Sequence, residues 1–303
     1  MKINIAQIGY GYWGKRLASY FKKDKNLFLK YICALNVENN KEFTRDINKI
    51  WQDKSIEAVV VATPIDTHYS IVKKALRSNK NVLCEKPLAR KTKQVLELKR
   101  IAQKKKLLLL TEFTYTFSKS IQRAKQIIDS NTIGEIKSIE LSLKYLGRFL
   151  KYDSYWLFGS HLLSILDVFV PLQTLTFKKI DLLKDKKRTE TGLILFKNKK
   201  ITGKAVVSSN YPEKEMKLII YGEKGTLIYS SMQKPSLSYS CYKKTKGILG
   251  DKLITKKKTY NINEKDNLQH AVDYFKKCLK KQAKSNIDRA VLITKILENT
   301  SKT

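Results

Sequence analysis

No apolar run in this chain approaches the length needed to cross a bilayer; stretches such as Leu107 to Leu110 and Ala58 to Ala62 are far too short. Cysteine is scarce and scattered. Cys33, Cys84, Cys241 and Cys278 form no C-x-x-C pair and follow no zinc-ligand spacing. The amino-terminal MKINIAQIGYGYWG has one Lys ahead of a glycine-rich turn, without the apolar core or small-residue cleavage site of a secretory signal. Membrane, disulfide-scaffold and structural-zinc classes are excluded, and a reduced, cytoplasmic setting is expected. Internal repeats and low-complexity linkers are absent as well.

Arginine is the other shortage. Of 61 cationic residues 52 are Lys and 9 Arg, against 27 acids, for a formal charge of +34. So positive a chain invites a polyanion partner. A surface built to read phosphates or bases recruits Arg for its bidentate fork and concentrates it. Here Lys pairs and triplets recur along the whole chain, as at Lys22-Lys23, Lys104-Lys106 and Lys256-Lys258. Solvated faces explain that spread, and no nucleic-acid partner is expected.

At 303 residues the chain is about twice a usual domain, and 42% apolar content is ordinary for a folded protein. Up to about residue 110 short apolar runs alternate with helical stretches. Strands are expected at Lys2–Ile8, Phe28–Leu35, Glu57–Ala62, Asn81–Cys84 and Leu107–Thr111. Helices are expected at Gly14–Phe21, Lys41–Trp51, Tyr69–Ser78 and Lys91–Lys104. This alternation predicts a Rossmann-type, doubly wound parallel sheet over residues 1–117. After a helix at Ser118–Ser130 the strands dominate, interrupted by an apolar helix at Ser160–Phe169 and closed by two carboxyl-terminal helices. Residues 118–303 are therefore expected to form an α+β domain with a large, mostly antiparallel, open-faced sheet that includes those helices. Its strands carry apolar residues on both faces in places, as in Lys217-Leu218-Ile219-Ile220-Tyr221. Such a face needs a partner, and a homodimer or tetramer is expected.

The strongest local signal is Gly9-Tyr10-Gly11-Tyr12-Trp13-Gly14, between a strand and a helix. Gly9 permits the tight turn and Gly11 a close approach to a pyrophosphate. Gly14 lets helix and strand pack closely, with the helix N-terminus aimed at the phosphates. These glycines with Tyr12 and Trp13 are the expected dinucleotide contacts. An acid on the adenosine ribose should end the second strand. The chain offers Asn36 there, or Glu38 if the register slips by two, which leaves NAD and NADP both open. Thr63 and Pro64 end the third strand and His68 follows in what reads as a loop, all expected near the cofactor. Glu85, Lys86 and Pro87 end the next strand, where the proline can hold an ammonium rigidly.

Taken in order, GYGYWG, ATP-x-x-TH and VLCEKPLA resemble the Gfo/Idh/MocA family (glucose–fructose oxidoreductase / inositol dehydrogenase). The resemblance continues through Ser130–Ile136, Tyr221–Leu227 and the closing helices. It implies an NAD- or NADP-dependent oxidoreductase that transfers a hydride between the nicotinamide and a secondary alcohol or ketone of a sugar. Lys86 is implied as the residue beside the reacting hydroxyl, with Glu85 near the cofactor and a cis peptide between Lys86 and Pro87. The segment Trp156-Leu157-Phe158-Gly159-Ser160-His161 is similar to the sugar-nucleotide-modifying branch, whose motif runs W-D-L-x-P-H. It implies His161 as the catalytic histidine. The branch's aspartate is Leu157 here, which can neither hold an imidazole nor share its proton. Tyr115 and Tyr145 are candidate substrate-side walls. The alternative is a dinucleotide-binding regulator or sensor that kept the fold and lost the chemistry.

Overall fold

The computed structural model describes residues 2–36, 40–146, 151–245, 251–262 and 266–299. The chain divides into two compact units. One holds residues 1–114 and 265–298, the other 115–264 and the last five residues.

The first unit contains β1 (Ile3–Ile8), α1 (Tyr12–Lys23), β2 (Leu27–Cys33), β3 (Phe43–Thr44), α2 (Asn48–Gln52), β4 (Ala58–Val61), α3 (Ile65–Arg77), β5 (Asn81–Glu85), α4 (Thr92–Lys104) and β6 (Leu109–Glu112). Its six strands are parallel in the order β3-β2-β1-β4-β5-β6. Order reverses beside β1, and in such sheets ligands bind beyond the strand ends at that point. The β-branched run of β4 has no exposed residue because helices cover both sheet faces. On α1 the apolar stripe Gly14, Leu17, Ala18 and Phe21 follows the 3.6-residue period and faces the core. Residues 41–52 hold the short strand β3 ahead of a brief helix, not one continuous helix.

The second unit opens with a 3-10 turn (Thr114–Phe117) and α5 (Lys119–Asp129), capped by Ser118, whose hydroxyl accepts from the Ile121 amide. There follow β7 (Ile136–Lys144), α6 (Ser160–Phe169), β8 (Thr176–Asp185), β9 (Arg188–Lys197), β10 (Thr202–Ser208), β11 (Glu215–Gly222), β12 (Gly225–Ser230), β13 (Leu237–Lys244) and β14 (Lys252–Tyr260). They make one sheet in the order β14-β13-β12-β11-β7-β10-β9-β8, antiparallel except between β7 and β10. Ile139, Leu141, Ala205, Leu218, Ile220 and Leu227 alternate onto the buried face. The opposite face is mixed: Lys204 pairs with Glu140 at 3.3 Å beside Ile219 and Ile228. Apolar residues are expected on this face in places, and Ile228 is one of them, 36% exposed. Strands β13 and β14 complete the sheet, and β14 is exposed almost throughout, its lysines blunting the sheet edge.

The carboxyl-terminal helices correct the expected domain division. Helices α7 (Asn267–Leu279) and α8 (Ile287–Asn299) were assigned to the second domain, but residues 265–298 belong to the first. Leu268, Val272 and Phe275 of α7 share a core cluster with Leu17, Phe21 and Leu27. Ahead of α8 the Asn286 amide donates to the Thr111 carbonyl (2.7 Å) and accepts from its N–H (2.9 Å), satisfying the outer edge of β6. Truncating the fully buried Phe275 leaves a cavity beside α1, and Phe275→Ala should cost about 3–5 kcal/mol. Denaturant unfolding followed by a probe in the first domain checks this; an unchanged midpoint would contradict the assignment.

Candidate active site

The turn after β1 is held by two devices. Gly9 has φ +97°, and a Cβ there would lie 2.4 Å from the Ala62 carbonyl oxygen, so only glycine fits against the end of β4. A Cβ on Gly14 would lie 2.4 Å from the Gly9 oxygen. Buried Gln7 donates both amide hydrogens, to the Gly9 and Gly14 carbonyls, each at 2.8 Å. The sequence reading missed Gln7. Its signal is an amide near the carboxyl end of a mostly apolar strand.

Gly11 differs from its neighbours. Among the described residues a Cβ at that position would meet nothing within 4 Å, so their packing does not require glycine there. The first turn of α1 carries no acidic residue and no side-chain cap, leaving backbone N–H groups to face an anion. Open space at the tip and uncapped donors behind it fit a dinucleotide's pyrophosphate. Tyr12 and Trp13 are exposed in that turn, packed edge to face with ring centroids 5.0 Å apart. The Arg16 guanidinium lies 5.2 Å from the Trp13 ring and pairs with Asp266, the N-cap of α7. Asn36 is exposed after β2, and Glu38 lies outside the described residues.

His68 corrects another expectation. It lies in the first turn of α3, 1% exposed, not in a loop. Nδ1 is 2.9 Å from the Pro87 carbonyl oxygen and Nε2 2.7 Å from that of Thr63. The ring therefore ties the loop after β4 to the turn after β5. Burial pushes its pKa down, while the two carbonyls push it up. Exposed Pro64 is the residue from which α3 starts.

Lys86 follows β5 in a half-buried position, and its peptide bond to Pro87 is cis. Burial pulls the ammonium down to about 8, against the attraction of Glu85 and Glu112. Glu85 is 9% exposed and Glu112 1%. They are direct partners in the register of β5 and β6, so both side chains leave the sheet on the same face. Burial pushes Glu85 up to about 7 and Glu112 well above the usual carboxylate range. Glu112 was not anticipated from the sequence. Its signal is an acid at the carboxyl end of the strand neighbouring the Glu-Lys-Pro strand.

In the second unit His161 is in the first turn of α6, directly after a single π-helical turn, Tyr155–Gly159. Such turns widen the backbone and often mark functional sites. Tyr115 meets the imidazole edge-on at 5.1 Å and 88°. Tyr145 packs edge-on against Phe158, with centroids 4.8 Å apart. Leu157 is half buried. The first unit thus gathers Gly9, Gly11, Gly14, Thr63, His68, Glu85 and Lys86 at its strand ends, and His161 belongs to the other unit.

Residues 3–113 match the family described as "Oxidoreductase family, NAD-binding Rossmann fold" (GFO_IDH_MocA). Among curated proteins, 2,7-anhydro-N-acetylneuraminate hydratase of Escherichia coli is 28% identical over 144 residues, 45% of this chain and 38% of that protein. The uncharacterized oxidoreductase YhhX of the same organism is 30% identical over 155 residues, 48% of this chain and 45% of YhhX. The matched stretch spans less than half of each relative. In fold the likeness extends along the whole chain. A 3-ketoreductase from Actinomadura kijaniata, KijD10, solved with TDP-benzene and NADP, superposes with a TM-score of 0.82 at 16% identity, covering 99% of this chain and 96% of that one.

The contrast between two glycines yields a test. Gly11→Ala should leave the melting temperature nearly unchanged but weaken dinucleotide binding about tenfold or more, since the added methyl points into the phosphate space. Gly14→Ala should lower the melting temperature, because its methyl meets the Gly9 carbonyl. Reduced-nicotinamide fluorescence titrations beside thermal melts separate the two effects.

Proposed function

From the match of residues 3–113 to the NAD-binding Rossmann oxidoreductase family we propose that the protein is an NAD(P)-dependent oxidoreductase acting on a secondary alcohol or ketone of a sugar or sugar nucleotide. When bound, the nicotinamide supplies or accepts the hydride. Gly9, Gly11 and Gly14 hold the dinucleotide with the α1 N-terminus, beside Tyr12, Trp13, Asn36, Thr63, Pro64, His68 and Glu85. Lys86 donates a hydrogen bond to the reacting oxygen and stabilises its alkoxide character, which a partly desolvated ammonium does far better than one in water. His161 takes or returns the hydroxyl proton. The observation that carries this reading is Lys86 itself: a half-buried ammonium pulled down to about 8, flanked by two buried carboxyls at a strand's carboxyl end. A nucleotide-linked sugar is favoured by the W-x-x-x-x-H segment and by the TDP ligand of the ketoreductase with the same fold. A homo-oligomer through the open face of the second sheet and a cytoplasmic setting, in keeping with four free cysteines, complete the proposal. Sedimentation as a monomer at micromolar concentration would count against the oligomer.

The test incubates the full chain with NAD(H) or NADP(H) and a panel of sugars and sugar nucleotides, following reduced-nicotinamide absorbance. Turnover on at least one is expected. Cofactor binding with no turnover on any of them would favour the regulator, the reading that Leu157 supports. With a substrate in hand, Lys86→Ala should lower turnover at least about a hundredfold while cofactor affinity stays nearly intact. His161→Ala should cost less, and Leu157→Asp should raise the rate. A fully active Lys86→Ala protein would remove Lys86 from the chemistry. The pH profile gives an independent check: the oxygen contact needs the ammonium, so activity should decline as pH rises through about 8.

A further inference from the structure

Two carboxyl groups on neighbouring strands, both buried and both beside one lysine, raise a question of charge. Among the described residues, Glu85 Oε1 and Glu112 Oε1 are each buried without a hydrogen-bond partner. The second oxygen of Glu112 accepts from the Thr114 hydroxyl at 2.6 Å. Strand neighbours are spaced about 4.8 Å apart, so side chains leaving one face from paired positions reach each other. Three other titratable groups lie around the two carboxyls. Lys86 carries the balancing cation. Asp266 faces Glu112 from the start of α7, with its own charge held by Arg16. His68 lies near enough for Lys86 to oppose its protonation. The Cys84 thiol, fully buried beside Glu85, is pushed up and stays protonated.

Charge counting narrows the states. With both carboxylates ionised and Lys86 protonated, the cluster carries one uncompensated negative charge in the protein interior, a costly arrangement. One proton held by the two carboxyls makes the cluster neutral and gives an orphaned oxygen a donor. We propose that Glu112 is a positioning residue that shares a single proton with Glu85 and thereby fixes the charge and place of the Lys86 ammonium. The proton comes from solvent and stays in the pair, so no other bond changes. The assignment of Lys86 to catalysis rests on the function proposed above; the shared proton does not.

The sign of its pH dependence follows. Both carboxyls bind protons more tightly in the folded chain than at the ordinary value of 4.5. Their contribution to stability is complete below about 4.5 and is lost as pH rises through about 7, where Glu85 begins to ionise. Asp24, Asp53 and Asp266 are displaced downward, so their stabilisation is constant across that window and adds no slope, while buried His68, displaced below 6.5, adds a slope of opposite sign on its acid side.

The experiment compares the full-length wild type with Glu112→Gln and Glu85→Gln. Infrared pH-difference spectra should show a protonated carboxyl at pH 7 in wild type. Either single variant should abolish it, because the remaining carboxyl then ionises against Lys86. Melting temperature should fall through neutral pH in wild type and flatten in both variants. A purely structural role would instead lower it by the same amount at every pH. If Glu112→Gln does not fold, Thr114→Val takes its place: loss of the donor to Glu112 should move the step to higher pH. Absence of the band in wild type, or its survival in Glu112→Gln, overturns the proposal. These arms need no substrate, so they stand even if no turnover is found. Where turnover is found, Glu112→Gln should move its alkaline decline to lower pH, since Glu112 helps to keep Lys86 protonated.

Discussion

How closely the turn after β1 can lie against the end of β4 governs what the first domain presents at its sheet edge. A carbonyl oxygen stands 2.4 Å from the place where any side chain at residue 9 would begin, and the next oxygen inward stands equally close to a side chain at residue 14. Bare backbone at both positions lets α1 start directly over the strand ends, with its N–H groups exposed. Gln7 then locks the turn from below with two hydrogen bonds from one amide. His68 extends the same frame sideways, joining the β4 loop to the turn that carries Lys86. Loosening any of these links moves the phosphate donors, the ammonium or both.

The frame is built around charge that water does not reach. Elsewhere most lysines are solvated, or they meet carboxylates in exposed pairs such as Lys125 with Asp129, where the net gain is small; buried Lys80 instead donates to the Asp53 and Ile56 carbonyls. Around Lys86 the situation reverses. Desolvation is the largest influence on the ammonium and on both flanking acids, and each is displaced toward its neutral form. A group held near its point of proton exchange is one that can respond to a reacting oxygen.

The features legible in the sequence are those in which residue type dictates local geometry. Glycine spacing marked the β1–α1 turn, the unbroken Val run marked a strand covered on both faces, and proline after lysine marked the β5 turn. Periodicity located α7 and α8 but could not say which core their stripes join, since an amphipathic face specifies a partner surface only by being apolar. Strand β14 carries four lysines over nine residues and buries none of them, so it offers no alternation to read. His68 looked like a loop residue because Pro64 suggested a longer loop. In fact the proline sits just outside the first turn, and α3 begins at once. Gln7 and Glu112 act through partners far along the chain, to which a local pattern is blind.

The first domain is built from two stretches of chain, and this gives its synthesis an order. Leu17, Phe21 and Leu27 emerge early, yet the helix that covers them starts at Asn267. Between the two stretches of the first domain the ribosome must make residues 115–264. At about 5–20 residues per second that interval lasts on the order of ten seconds or more, with an apolar stripe open throughout. The nascent chain therefore passes through a state in which the parallel sheet has all its strands but lacks one of its covers, and the second domain has time to fold before the first is complete.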